Sequence, residues 1–134
     1  MEKDKILNIP SLSMFNNNWD LLLKFMDNEG NPPFHFDGDL NLAFTIIETL
    51  GSLFSVEGKL LLYNNKNITT LGKLEHVGGL LDLSNSNIES LGNLKSVGMG
   101  LGLINTTNLK MTKEDILKHI KVGGNIIGKL PYKL

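Results

Sequence analysis

Leucine alternates with other residues in four short runs of this chain, and each run sits in the same longer frame. Leu40-Asn41-Leu42, Leu60-Leu61-Leu62, Leu81-Asp82-Leu83 and Leu101-Gly102-Leu103 each place two leucines on one side and the residue between them on the other. Alternation of this kind predicts short β-strands whose leucines face a core. Ahead of the runs stand Phe36, Val56, Val77 and Val97, spaced 20, 21 and 20 residues apart. After them come polar turns such as Asn64-Asn65-Lys66-Asn67 and Ser84-Asn85-Ser86-Asn87, then an apolar Leu-Gly-x-Leu-x-x-Val series leading into the next run. A constant period of this size predicts a solenoid, in which each coil buries its apolar side only against its neighbours.

The return path carries apolar residues about every third position, so it is expected to be irregular or 3₁₀-like. Gly38, Gly58, Gly79 and Gly100 are expected to turn the chain back into each strand. Three residues after the second leucine of each run stand Thr45, Asn65, Ser86 and Thr106. All can hydrogen-bond, and the coil must turn there. A polar ladder from coil to coil is expected, with ordinary turn residues as the simpler alternative.

The ends differ from the middle. Asn16-Asn17-Asn18 precede Trp19, Leu22, Leu23 and Met26 at helical spacing, Leu21 and Phe25 widen the apolar face, and Gly30 and Pro32-Pro33 stop it. This predicts an N-terminal cap helix over 16–28, with Trp19 in the core. Near the other end Thr112-Lys113-Glu114-Asp115 reads as a capping box, followed by Ile116, Leu117 and Ile120. Val122-Gly123-Gly124-Asn125-Ile126-Ile127 then echoes Val77-Gly78-Gly79-Leu80-Leu81-Asp82. A C-terminal helix and a fifth strand are expected, its polar and Lys-rich surroundings protecting the sheet edge.

Over residues 36–109 the pattern resembles the leucine-rich repeat proteins, whose consensus is Leu-x-x-Leu-x-Leu-x-x-Asn-x-Leu. It is similar to the small Gly-Gly-containing type of bacteria and their phages, with repeats of 20–21 residues. It departs from that consensus in having Asn at one ladder position of four and no Pro within the repeats. The resemblance implies an α/β solenoid, a right-handed coil with one parallel sheet of about five strands. The expected layout is a single domain: 1–35 with the cap helix, four repeats over 36–109, and a C-terminal cap over 110–134.

Composition narrows the function. The 134 residues are 41% hydrophobic and 20% charged, ordinary values for a soluble globular domain. The net charge of −1 is unevenly spread: residues 1–60 hold four Lys against nine acidic side chains, and 110–134 hold six Lys against Glu114 and Asp115. Every basic side chain other than His is Lys, which weakens the case for base-edge or phosphate recognition by an Arg fork. No cysteine is present, so disulfides and thiolate-bound zinc are excluded. The opening Met1-Glu2-Lys3-Asp4-Lys5 lacks a signal-peptide pattern, and no run reaches the length of a membrane span. The expected location is the cytoplasm, the host's if the protein is phage-encoded. The sequons at Asn67 and Asn105 are given no role.

With the strand leucines inward, the residues between them form three outward rows. These are Asp39, Lys59, Leu80, Gly100 and Asn125; Asn41, Leu61, Asp82, Gly102 and Ile127; and Ala43, Tyr63, Ser84 and Ile104. Leu61, Tyr63, Leu80 and Ile104 make an apolar cluster on a face expected to meet solvent, a feature of partner sites, with Tyr as an anchor. The candidate partner-binding residues are Lys59, Leu61, Tyr63, Leu80, Asp82, Ser84 and Ile104. A protein partner, a second copy of the chain or its own N-terminal segment are the three occupants to separate.

Catalytic patterns are weak. His35, His76 and His119 are scattered, and no Ser is expected beside them in a relay. Asp37-Gly38-Asp39 offers too few ligands for Ca²⁺, and Gly98-x-Gly100-x-Gly102 enters a strand rather than a helix. No enzymatic activity, cofactor or metal is expected. The expectation is a non-enzymatic protein-binding module acting as an inhibitor or regulator. The resemblance to phage and bacterial repeats extends this to a counter-defence protein such as an anti-CRISPR. The alternatives are a self-associating structural protein and a nucleic-acid binder using the C-terminal Lys cluster, including Lys118 and Lys121.

Overall fold

The structure, a computed structural model, describes residues 5–133. The charged opening Met1 to Asp4, read above for targeting signals, lies outside the described residues, as does Leu134. The chain forms a parallel β-solenoid of about four turns. In order the elements are β1 (Leu7–Ile9), a 3₁₀ turn (Leu12–Phe15), α1 (Trp19–Asn28), β2 (Phe34–Phe36), β3 (Leu40–Asn41), β4 (Leu53–Val56) and β5 (Leu60–Leu61). There follow β6 (His76–Val77), β7 (Leu81–Asp82), β8 (Ser96–Val97), β9 (Leu101–Gly102), α2 (Lys113–Leu117), β10 (Lys121–Val122) and β11 (Ile126–Ile127).

Two parallel sheets run up the solenoid, where a single sheet of about five strands is expected from the pattern. The predicted one is the five-stranded sheet β3-β5-β7-β9-β11, built from the Leu-x-Leu runs. The second has six strands, β1-β2-β4-β6-β8-β10. It forms because each return path ends in an outward polar residue followed by an inward one. His35, Ser55, His76, Ser96 and Lys121 align in one outward row, and Phe36, Val56, Val77, Val97 and Val122 in the inward row beside it. Two residues of alternation per coil suffice once neighbouring coils extend it sideways. β1 adds an unforeseen edge strand, Leu7–Ile9 pairing with Phe34–Phe36. A third side carries the remainder of the return path, with one bridge between Thr70 and Ser90.

Equivalent residues stack into columns inside. Leu40, Leu60, Leu81, Leu101 and Ile126 form one, Leu42, Leu62, Leu83 and Leu103 the next, and Ile47, Ile68, Ile88 and Leu109 a third, all buried in one continuous cluster. Removing such a leucine would cost about 2–5 kcal/mol. Helix α1 begins at Trp19 rather than at 16 as expected, because Asn16 and Asn17 take left-handed φ of 53° and 55°. Asn18 caps it, its side chain accepting the Leu21 N–H, and the helix buries Trp19, Leu22 and Met26. The Trp19 indole N–H donates to the Thr49 carbonyl at 3.0 Å, and its ring tilts against Phe34. Thr112 and Asp115 form the reciprocal capping box of α2, and β11 pairs with β9.

Two expectations about the coil are corrected. Of the four glycines thought to supply the turn, only Gly38 has a positive φ, at 72°. Gly58 and Gly79 are needed for close approach: a Cβ on Gly58 would stand 2.7 Å from the Gly38 backbone, and one on Gly79 would stand 3.0 Å from that of Gly58. One on Gly100, by contrast, would meet only the Leu80 side chain at 3.3 Å and the Asn125 carbonyl at 3.5 Å. Gly78, Gly98 and Gly123 stack still more tightly on backbone carbonyls of the preceding coil. The polar ladder is also mostly local. Asn65, Ser86 and Thr106 are buried, but only Asn65 reaches the preceding coil, donating from Nδ2 to Thr45 Oγ1 at 3.1 Å. Asn65 Oδ1 accepts the N–H groups of Asn67 and Ile68, Ser86 Oγ accepts that of Ile88, and Thr45 and Thr106 donate to the carbonyls of Leu42 and Leu103. Each coil thus satisfies its own corner. Other coil-to-coil bonds lie further out, where Asn67 and Asn87 donate to the Ile46 and Lys66 carbonyls.

Candidate functional site

The five-stranded sheet presents the three outward rows foreseen from the alternation. Its registers place Asn41 beside Leu61, Leu61 beside Asp82, and Asp82 beside Gly102. Most polar members of the face are occupied by the fold. Asp39 Oδ1 accepts the Lys59 N–H at 2.8 Å and Asn41 Oδ1 accepts that of Ala43 at 3.0 Å. Asp82 Oδ1 accepts the Ser84 N–H at 3.0 Å, and Ser84 Oγ accepts the Ile104 N–H at 3.1 Å. Ser84 is buried, and Gly102 leaves room for this pair, since a Cβ there would stand 2.7 Å from Asp82 Oδ1. Of the seven candidates, Asp82 and Ser84 therefore hold the face in shape. Lys59 is exposed, and Leu61, Tyr63 and Leu80 are half-buried. Ile104 is 46% exposed.

The strongest apolar feature beside these residues is one the strand pattern does not reveal. Phe44 is 72% exposed and sits in the left-handed region at φ 59°. Its ring meets Tyr63 edge-on, with centroids 5.4 Å apart and an interplanar angle of 83°. The same corner in the next three coils is occupied by Asn64, Asn85 and Asn105, with φ of 58°, 58° and 55°. Asn tolerates that conformation, and a bulky aromatic there is an outlier. Comparing the four units column by column would have exposed it. Ile46, 81% exposed, follows two residues later. Phe44, Tyr63, Leu61, Leu80 and Ile104 thus join the sheet face to its corner.

The Lys-rich end divides by environment. Lys129 donates to the carbonyls of Thr106 and Leu109 at 2.8 and 2.7 Å, closing the corner of the last full coil. Burial pushes its ammonium below the usual lysine range, and Lys110 adds to the effect. Lys118 and Lys121 are exposed. Asp115 is held below the ordinary carboxylate range, first by the Thr112 backbone N–H and then by the Thr112 hydroxyl.

One expectation about chemistry is overturned. The coil period brings a serine to two of the histidines: His35 Nδ1 lies 2.9 Å from Ser55 Oγ, and His76 Nδ1 lies 2.8 Å from Ser96 Oγ. His35 Nε2 is also 3.2 Å from Asp37 Oδ1. Hydroxyl, imidazole and carboxylate are therefore in line. The nearby N–H groups of Glu57 and Gly78 are committed to the carbonyls of Phe36 and Val56, so they are not free to receive an oxyanion. The repeat of the His–Ser contact one pair of coils later marks it as part of the sheet's outer row.

No helix among the described residues is long and apolar enough to cross a membrane. Comparison with protein-family models, with curated proteins and with solved structures finds no match to this chain.

Proposed function

We propose that this chain is a non-enzymatic protein-binding module of the short leucine-rich-repeat type. In this reading α1 and α2 serve as caps, and the outer face of the five-stranded sheet engages one partner protein. Lys59, Leu61, Tyr63, Leu80 and Ile104 supply the contact, with Asp82 and Ser84 shaping it and Phe44 extending it. The module acts by blocking or scaffolding its partner, as an inhibitor or regulator. That role, counter-defence included, rests on the resemblance to small bacterial and phage repeats.

The observation that carries this reading is Phe44. An aromatic in the left-handed region carries backbone strain, and at 72% exposed it recovers little of that by burial. The other coils manage the corner with Asn. A benefit outside the fold accounts for it, and an aromatic beside Tyr63 on an apolar face is a typical interface anchor.

The test is a pull-down with the tagged chain from its native host, with protein identification, beside the Leu61→Asp/Tyr63→Asp variant checked for folding. A protein retained by the wild type and lost by the folded variant supports the reading. Retention by both sends the site elsewhere. Retention of nothing but the chain itself, with a dimer that Tyr63→Asp dissociates, replaces the reading with self-association.

A further inference from the structure

The outer face of the six-stranded sheet, a different face of the solenoid from the site above, brings three metal-ligating groups together. His35 and Asp37 lie two residues apart, so both project to the same side of β2. The pairing of Phe36 with Val56 sets Glu57 beside Asp37 on the next coil. One donor atom from each of His35, Asp37 and Glu57 lies within 4.8 Å of the others. Ligands about 2.0–2.2 Å from a zinc-like ion stand roughly 3.3–3.6 Å apart. The 3.2 Å between His35 Nε2 and Asp37 Oδ1 is close to that spacing, and the exposed Glu57 side chain is free to move in.

Two further groups are already set as ligand-orienting partners. Ser55 Oγ, 2.9 Å from His35 Nδ1, accepts its N–H in the tautomer that leaves the Nε2 lone pair directed at the carboxylates. Asn8 Nδ2 donates to Asp37 Oδ2 at 3.0 Å, leaving Oδ1 on the histidine side. The two anions sit on adjacent coils, and among the described residues neither is paired with a lysine. A cation would relieve their repulsion. Asp39, the other carboxylate of the Asp-Gly-Asp run, is not involved, because its Oδ1 holds the Lys59 N–H.

We propose that His35, Asp37 and Glu57 bind one divalent transition-metal ion of the zinc class, with Ser55 and Asn8 as positioning residues. Imidazole with two carboxylates suits Zn²⁺, and three protein ligands leave the remaining coordination to water. The ion would tie the first coil to the second and, through Asn8, to the edge strand β1.

The test is calorimetric titration of the chelator-treated full chain with zinc chloride, together with NMR of the histidine side chains. The expected result is saturation at one Zn²⁺ per chain, with only the His35 ring signals shifting and the thermal midpoint rising. Ser55→Ala should weaken binding about tenfold. His35→Ala and Glu57→Gln should weaken it further, and His76→Ala should leave it unchanged. No saturable binding by the wild type would overturn the proposal, as would equal shifts at His76 or His119. The NMR readout on the wild type stands even if a variant fails to fold.

Discussion

The Phe44 ring meets the Tyr63 ring edge-on at 5.4 Å, across the corner between the first two coils. Tyr63 lies in the outward row of the sheet, and Phe44 occupies the left-handed position that Asn fills in the other three coils. Replacing Phe44 with Asn should therefore stabilise the isolated protein, by about 1 kcal/mol from relieved backbone strain, less what the ring contact contributes. Chemical denaturation checks this. A loss of stability would show that the ring serves the fold rather than a partner.

Asn65 should be the most sensitive polar residue of the coil. It is fully buried, its Oδ1 accepts two backbone N–H groups, and its Nδ2 reaches Thr45. Asn65→Ala strands these donors and is expected to destabilise by roughly 2–4 kcal/mol. Ser86→Ala, which loses a single long bond of 3.4 Å, should cost about 1 kcal/mol or less. Equal effects in equilibrium unfolding would contradict the local satisfaction of each corner.

The glycines should sort by environment rather than by position in the repeat. A methyl on Gly98 runs into the Gly78 carbonyl, so Gly98→Ala must spread two coils and is expected to cost about 3 kcal/mol. Gly72 has φ 57° and open space around a Cβ. Asn tolerates that conformation, and Gly72→Asn should change stability by less than about 0.5 kcal/mol. Thermal midpoints of the two variants decide this.

The C-terminal helix should loosen in acid. The Thr112 hydrogen bonds depress the folded-state pKa of Asp115 below its unfolded value. Its contribution is thus complete above the ordinary carboxylate range and is lost as pH falls through the lowered folded value. Amide exchange over Lys113–Leu117 should speed up on that descent. Asp115→Asn should remove the step. An unchanged profile in that variant would assign the effect to another group.

How much of this was legible in the sequence follows from the length scale of each signal. The solenoid, the five-stranded sheet and its inward leucines were readable because Leu40, Leu60, Leu81 and Leu101 repeat one pattern in one frame. The six-stranded sheet was not, because two-residue strands such as His76–Val77 hide inside a series of three-residue spacing. β1 is only three residues long, and only its pairing with β2 identifies it. The glycine stacking escaped because it depends on distance to the preceding coil, which no local propensity encodes. The apolar face was half legible. Leu61, Tyr63, Leu80 and Ile104 follow from alternation, whereas Phe44 lies past the strand in a turn. The grouping of His35, Asp37 and Glu57 requires knowing that residues one coil apart become neighbours in the second sheet.

The most direct test of the proposed binding face is the affinity of a partner purified by the pull-down for the wild type, for Phe44→Asn and for the Lys118→Glu/Lys121→Glu variant. The prediction is a loss of about tenfold or more for Phe44→Asn without loss of stability, and little change for the lysine variant. Undiminished affinity in Phe44→Asn with collapse of binding in the lysine variant would contradict the account and move the site to the C-terminal end.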